Sequence, residues 1–143
     1  MTTEAPTPSA GLRALDRMVG TWRVSGEAAG ELTYEWMDGG FFLIAHGDIA
    51  QGGRHTKHIE IIGYDRAAPG GPPADELTSR LYTSYGDTLS YVHEFDDKGM
   101  RSWFGAKGAP AKFIAKWAGD DKLTGAWEWP GGGYTLTLTR IKR

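Results

Sequence analysis

From Gly20 onward the chain is a succession of short runs in which apolar and polar side chains alternate, with no helical spacing among them. A period of two residues is the pattern of a β-strand that buries one face. Clusters of Gly and Asp separate the runs and supply the backbone conformations that tight turns need. The sequence therefore predicts ten strands, at residues 21–26, 31–37, 41–49, 55–64, 77–85, 89–95, 100–105, 112–117, 123–129 and 134–142.

The short connections between these strands predict an up-and-down antiparallel meander. An open sheet of ten strands would leave two edges unpaired, whereas closure into a barrel pairs both of them. One connection, at residues 65–76, is predicted to be a long loop because its prolines cannot donate to a sheet. The 21 glycines among 143 residues suit strongly bent strands. The expected fold is all-β, a ten-stranded antiparallel up-and-down barrel.

The segment before the strands has a different pattern. Leu12, Leu15 and Val19 are spaced for one face of a helix of about three turns, and Ser9 is suited to cap it. A single short helix cannot cover ten strands, so we expect it at one end of the barrel. Residues 1–8 lack the basic and apolar stretches of a secretory signal and are predicted to form a flexible tail. Residues 9–143 are then one domain.

Composition and motifs exclude several classes of protein. With 16 basic and 18 acidic residues, the chain is not strongly basic as nucleic-acid binders are. It has no Cys, which excludes thiolate chemistry, and no apolar run long enough for a membrane helix. It has no phosphate-binding loop or nucleophile elbow. We expect a cytoplasmic protein without cofactor or metal, with no nucleic-acid partner and no membrane span.

Strand alternation places large aromatic side chains inside the barrel. Aromatic walls with a few polar groups are typical of small-molecule sites, although aromatic side chains also fill ordinary cores. The predicted lining of a cavity is Tyr34, Trp36, Tyr91, His93, Phe104, Phe113, Trp117, Trp127 and Tyr134.

His93 is the histidine that the alternation places inside. A four-residue turn at residues 96–99 would pair Phe95 with Met100 and would set His93 opposite Ser102. An imidazole beside a hydroxyl can orient a ligand or transfer a proton, or it can serve only in packing.

The facing of His58 and Glu60 is not settled by the alternation, because both faces of their strand carry apolar residues. A turn at residues 51–52 would pair His46 with Lys57 and would put His46 and His58 on opposite faces. A metal site on these side chains would require a one-residue bulge.

Three stretches of the chain, residues 18–22, 35–42 and 61–65, resemble a bacterial calycin-like family of unknown function, related to lipocalins and nitrobindin-like barrels. In calycins the first strand opens with Gly-x-Trp, matched by Gly20-Thr21-Trp22. The resemblance implies that a basic residue of the last strand, here Arg140, packs over Trp22 in a structural role. The haem-binding His of the nitrobindin branch has no counterpart after His93.

The predicted function is the binding of a small apolar or amphipathic molecule in the aromatic cavity. The first alternative is a cofactor-independent enzyme of the cyclase, isomerase or dehydratase type, with His93 and Tyr91 as the acid–base pair. The second alternative is a non-catalytic homodimeric interaction module, since residues 41–49 are apolar on both faces.

Overall fold

The computed structural model describes residues 9–143, and the predicted tail lies outside the described residues. Ten antiparallel strands close into a barrel in which each pairs with its neighbours in sequence and the first pairs with the last, which confirms the predicted fold class. The strands are β1 (Gly20–Gly26), β2 (Ala28–Trp36), β3 (Phe42–Gln51), β4 (Arg54–Arg66), β5 (Pro73–Thr83), β6 (Thr88–Asp96), β7 (Gly99–Phe104), β8 (Lys112–Trp117), β9 (Lys122–Trp129) and β10 (Gly132–Lys142).

The predicted helix of three turns is instead a single α-helical turn, α1 (Ala10–Arg13), that tightens into a 3-10 helix at Ala14–Met18. Ser9 caps it as expected, its hydroxyl accepting from the Leu12 N–H at 3.4 Å. A 3-10 helix repeats every three residues, so Leu12, Leu15 and Met18 are all buried on one side. Among residues 9–143, no helix is long and apolar enough to cross a membrane.

Two predicted connections differ from the observed ones. β4 extends to Arg66, and β5 starts at Pro73, so the expected loop at residues 65–76 is shorter. Proline is tolerated as the first residue of a strand, where no ladder N–H is required. The β3–β4 turn is Gly52-Gly53 and pairs His46 with Ile59 instead of Lys57. This register differs by two residues, which leaves every side chain on the same face.

The helical segment packs against one end of the barrel, which we call the helical end. Trp22 is fully buried there, and its Nε1 donates to the Met18 carbonyl at 2.8 Å. The Arg140 guanidinium lies 4.3 Å from the centre of the Trp22 ring. It also donates to the carbonyls of Arg17 and Val19 at the end of the helical segment. Arg140 thus joins the last strand to the helical segment over the Trp22 indole.

Candidate functional site

A cavity of about 130 Å³ lies inside the barrel. Leu15 and Met18 of the helical segment contribute to its lining, together with inward side chains of the strands. The volume is close to the roughly 150 Å³ of an apolar protein cavity that accommodates benzene. The barrel interior is therefore mostly filled core with room for a molecule of about one ring.

Six of the nine predicted lining residues line this cavity, and aromatic contacts join four of them into one wall. The Phe113 and Trp127 ring centres lie 5.0 Å apart, and Tyr91 lies 5.9 Å from Trp127 and 6.2 Å from His93. The six are Tyr34, Tyr91, His93, Phe113, Trp127 and Tyr134.

The other three predicted lining residues lie towards the ends of the barrel. Trp36 donates from Nε1 to Asp16 at 2.9 Å, and Trp117 packs on Trp22, both at the helical end. Phe104 is largely exposed where β7 ends, with its edge against Tyr91. Alternation along a strand predicts which face a side chain takes but not its height in the barrel, and these three stand where their strands end.

His93 is the centre of a chain of hydrogen bonds across four neighbouring strands. Its Nδ1 lies 2.7 Å from the Ser102 hydroxyl, as the predicted pairing of His93 with Ser102 suggested. Its Nε2 lies 2.7 Å from the Ser79 hydroxyl, which donates to the Glu60 carboxylate at 2.6 Å. The Glu60 and His93 side chains are 12% and 9% exposed, so the chain is almost entirely withdrawn from solvent.

The number of donors and acceptors in this series of hydrogen bonds determines where its protons lie. An ionised Glu60 can only accept, so the single Ser79 hydrogen points to Glu60. The Nε2 of His93 must then carry the hydrogen that it shares with Ser79. Nδ1 is free either to accept from Ser102 or to hold a second proton and donate to it. The hydrogen bonds therefore fix the proton at Nε2 and leave open the one between Nδ1 and Ser102.

The electrostatics of the cavity are dominated by Glu60. Burial acts to raise its pKa, but the hydrogen bond and charge of His93, together with Ser79 and His58, hold the pKa of Glu60 below its usual range. Burial and the Glu60 charge, with a smaller effect of Tyr134, raise the pKa of Tyr91 to about 12, and burial with the same charge raises the pKa of Tyr34 as well. Burial lowers the pKa of His58. At neutral pH the site holds one carboxylate beside neutral phenols and a neutral His58.

Several polar groups of the lining have no hydrogen-bond partner in the part of the chain that the structure describes. They are the hydroxyls of Tyr34, Tyr91 and Tyr134 and the imidazole of His58, all of which line the cavity. Tyr34 and Tyr91 are only 8% and 9% exposed. Buried polar groups are nearly always paired, and among residues 9–143 the one fully buried side-chain nitrogen or oxygen without a partner is Trp117 Nε1, so the polar atoms of these four residues are not sealed off from the cavity. These groups are therefore available to a molecule in the cavity.

Alternation left the facing of His58 and Glu60 open, and the structure places both inside. The outer face of β4 carries Ile59 and Ile61, which are exposed, so hydrophobicity gave no guide to the direction. His46 is on the opposite face to Glu60, and no group of three metal-binding side chains occurs among residues 9–143. Gly47, in the middle of β3, is the residue of the sequence that could have indicated the direction of His58. A Cβ at Gly47 would overlap the His58 ring, so the glycine makes room for that side chain.

No protein-family profile and no curated protein sequence matches this chain. The closed ten-stranded antiparallel barrel is consistent with a calycin-like fold. The functional argument accordingly depends on the cavity and on the side chains that line it.

Proposed function

We propose that the barrel binds a small amphipathic molecule, about one ring in size, in its interior cavity. The observation that carries the proposal is a cavity with a mostly apolar and aromatic wall that also presents three tyrosines and His58. The rings of Phe113 and Trp127 would supply contact area, while the hydroxyls of Tyr34, Tyr91 and Tyr134 would fix the orientation of the ligand. The position of Arg140 over Trp22 supports the further proposal that the chain is a member of the calycin-like family.

Filling the cavity tests this function. Leu81 is half-buried and lines the cavity, so Leu81→Trp should occupy the space that a ligand needs. With benzyl alcohol as the probe, we expect the unaltered protein to bind it and to gain in Tm, and the variant to bind at least about tenfold more weakly. Isothermal titration and thermal denaturation measure the two effects.

The matched control is Ile61→Trp, which puts the same ring on the exposed outer face of β4. It should bind benzyl alcohol as the unaltered protein does. Equal binding by the two variants, or no binding of the probe to the unaltered protein, would contradict the proposal.

The hydrogen-bonded chain around His93 favours an enzyme as the second candidate. Nδ1 can take a proton from a ligand or return it with Ser102 as its partner, while Ser79 and Glu60 hold the ring in place. Tyr91, beside His93, would be the second acid–base group. Confinement of a flexible substrate in the cavity would lower the activation free energy of the reaction by up to roughly 7–11 kcal/mol relative to the reaction in solution. The reaction class is cyclisation, isomerisation or dehydration.

His93→Gln distinguishes the two functions because it keeps a hydrogen-bonding side chain but removes the base. An enzyme should lose turnover by about 10²–10⁴-fold with binding retained, whereas a binding protein should lose only affinity, and modestly. Incubation with a metabolite extract, followed by mass spectrometry of bound and free compounds, measures both. If the unaltered protein returns every captured compound unchanged, the enzymatic alternative is wrong.

The dimer hypothesis also stays open, on a different surface from the one first suggested. On the outer face of β3, His46 and Asp48 are exposed polar residues, so that strand is not apolar throughout. Three exposed apolar side chains lie on the next two strands, Ile59 and Ile61 on β4 and Tyr82 on β5. A second copy of the chain would contact these three residues.

A further inference from the structure

The cavity wall holds few ionisable groups. Glu60 is its one carboxylate, and no Lys or Arg is among the described residues that line it. The titratable groups that accompany Glu60 are His58, His93 and three tyrosines. A ligand therefore meets a buried carboxylate inside a largely aromatic enclosure.

Only one of the two carboxylate oxygens of Glu60 accepts a hydrogen bond from the described residues. Its Oε2 accepts from Ser79, and His93 Nε2 lies 3.4 Å from the same oxygen while sharing its hydrogen with Ser79. No described group donates to Oε1. A buried carboxylate is costly unless it is both paired and hydrogen-bonded, so a donor with positive charge is the partner that this oxygen lacks.

The side chains around Glu60 also favour a positively charged hydrogen-bond donor. The ring faces of aromatic residues attract cations, and Tyr34, Tyr91 and Trp127 all contribute to the cavity wall. An ammonium group has three hydrogens to donate and accepts none. Glu60 Oε1, the neutral His58 imidazole and the phenol oxygens are acceptors on that wall.

We propose that the ligand is a protonated primary amine that carries one small apolar group, with its ammonium on Glu60 and its apolar part against Phe113 and Trp127. This inference rests on the proposed function, because it names the chemical class that the same cavity takes. The cavity volume limits the apolar part to about one ring.

Three probes of nearly equal size test the charge preference: benzylamine, benzyl alcohol and benzoate. At pH 7 we expect isothermal titration to give benzylamine at least about tenfold higher affinity than benzyl alcohol, with benzoate weakest. Glu60→Gln should bring the affinity for benzylamine down to that for benzyl alcohol and leave benzyl alcohol little changed. The matched control is Glu128→Gln, on an exposed carboxylate of β9 that should matter to none of the probes.

The outcomes separate this inference from the function on which it rests. If benzyl alcohol or benzoate binds as well as benzylamine, the amine assignment is wrong while the binding function stands. If none of the three binds, both are wrong. If Glu60→Gln retains the preference for benzylamine, Glu60 is not the recognising group. The comparison of probes on the unaltered protein decides the charge preference even if that variant does not fold.

Discussion

Replacing Trp22 by Ala is expected to lower the free energy of unfolding by about 3–5 kcal/mol, the range for removal of a large buried aromatic side chain. Trp22 is fully buried, contacts Trp117 and lies under the Arg140 guanidinium. The substitution also leaves the Met18 carbonyl without the indole N–H that it accepts. The loss should therefore affect the helical segment and the closing strand together.

Urea denaturation followed by circular dichroism measures this loss. Trp129→Ala is the control of the same residue type, because Trp129 is 43% exposed and makes an edge-to-face contact with Tyr134. We expect that variant to lose less than about 1 kcal/mol. Similar losses from the two substitutions would show that Trp22 does not have the structural role assigned to it.

Replacing His93 by Leu should have the second largest effect, a loss of about 3–5 kcal/mol at neutral pH, because it leaves the buried Glu60 carboxylate without the side chain that pairs with it. In the unaltered protein, the pKa of Glu60 is below its ordinary value of 4.5, so its contribution to stability is present above that pH and lost as pH falls through the folded pKa. Without His93, the largest of the effects that lower the pKa of Glu60 is lost, and burial, which raises that pKa, becomes the dominant one. Its pKa then rises above the unfolded value, and ionised Glu60 destabilises the variant as pH increases.

The deficit of His93→Leu relative to the unaltered protein should therefore be largest at pH 7 and shrink towards pH 4. Denaturant titrations at several pH values measure it. The double variant Glu60→Gln with His93→Leu should recover part of the stability and lose this pH dependence, because no buried carboxylate remains. A deficit that is the same at all pH values would mean that Glu60 and His93 are not coupled as the geometry implies.

The fold could be predicted because the alternation and the Gly-rich turns are local features of the sequence. The position of His93 beside Ser102 could be predicted too, since it needed only one hairpin register. Glu60 could not be assigned, because β4 exposes Ile59 and Ile61 and turns the Glu60 carboxylate inward.

Ser79 carries no signal in the sequence at all. It is a small hydroxyl residue at an inward position of β5, where a packing role would be the ordinary expectation. Its importance arises only when β4 and β6 bring Glu60 and His93 to either side of it. A site built across four strands is thus visible in the three-dimensional pairing and not in any one strand.

The pairing of β1 with β10 has a consequence for how the molecule assembles. Every other pairing joins strands that are consecutive in the chain, whereas this one joins the first and the last. Bringing the two ends of so long a segment together costs conformational entropy before the contacts between β1 and β10 can form. The barrel is therefore expected to close late in folding. Until then the meander has two unpaired edges, the exposed form in which β-proteins associate edge to edge. Arg140 of β10 donates to the carbonyls of Arg17 and Val19, so it is placed to stabilise the pairing of β10 with β1 once that pairing has formed.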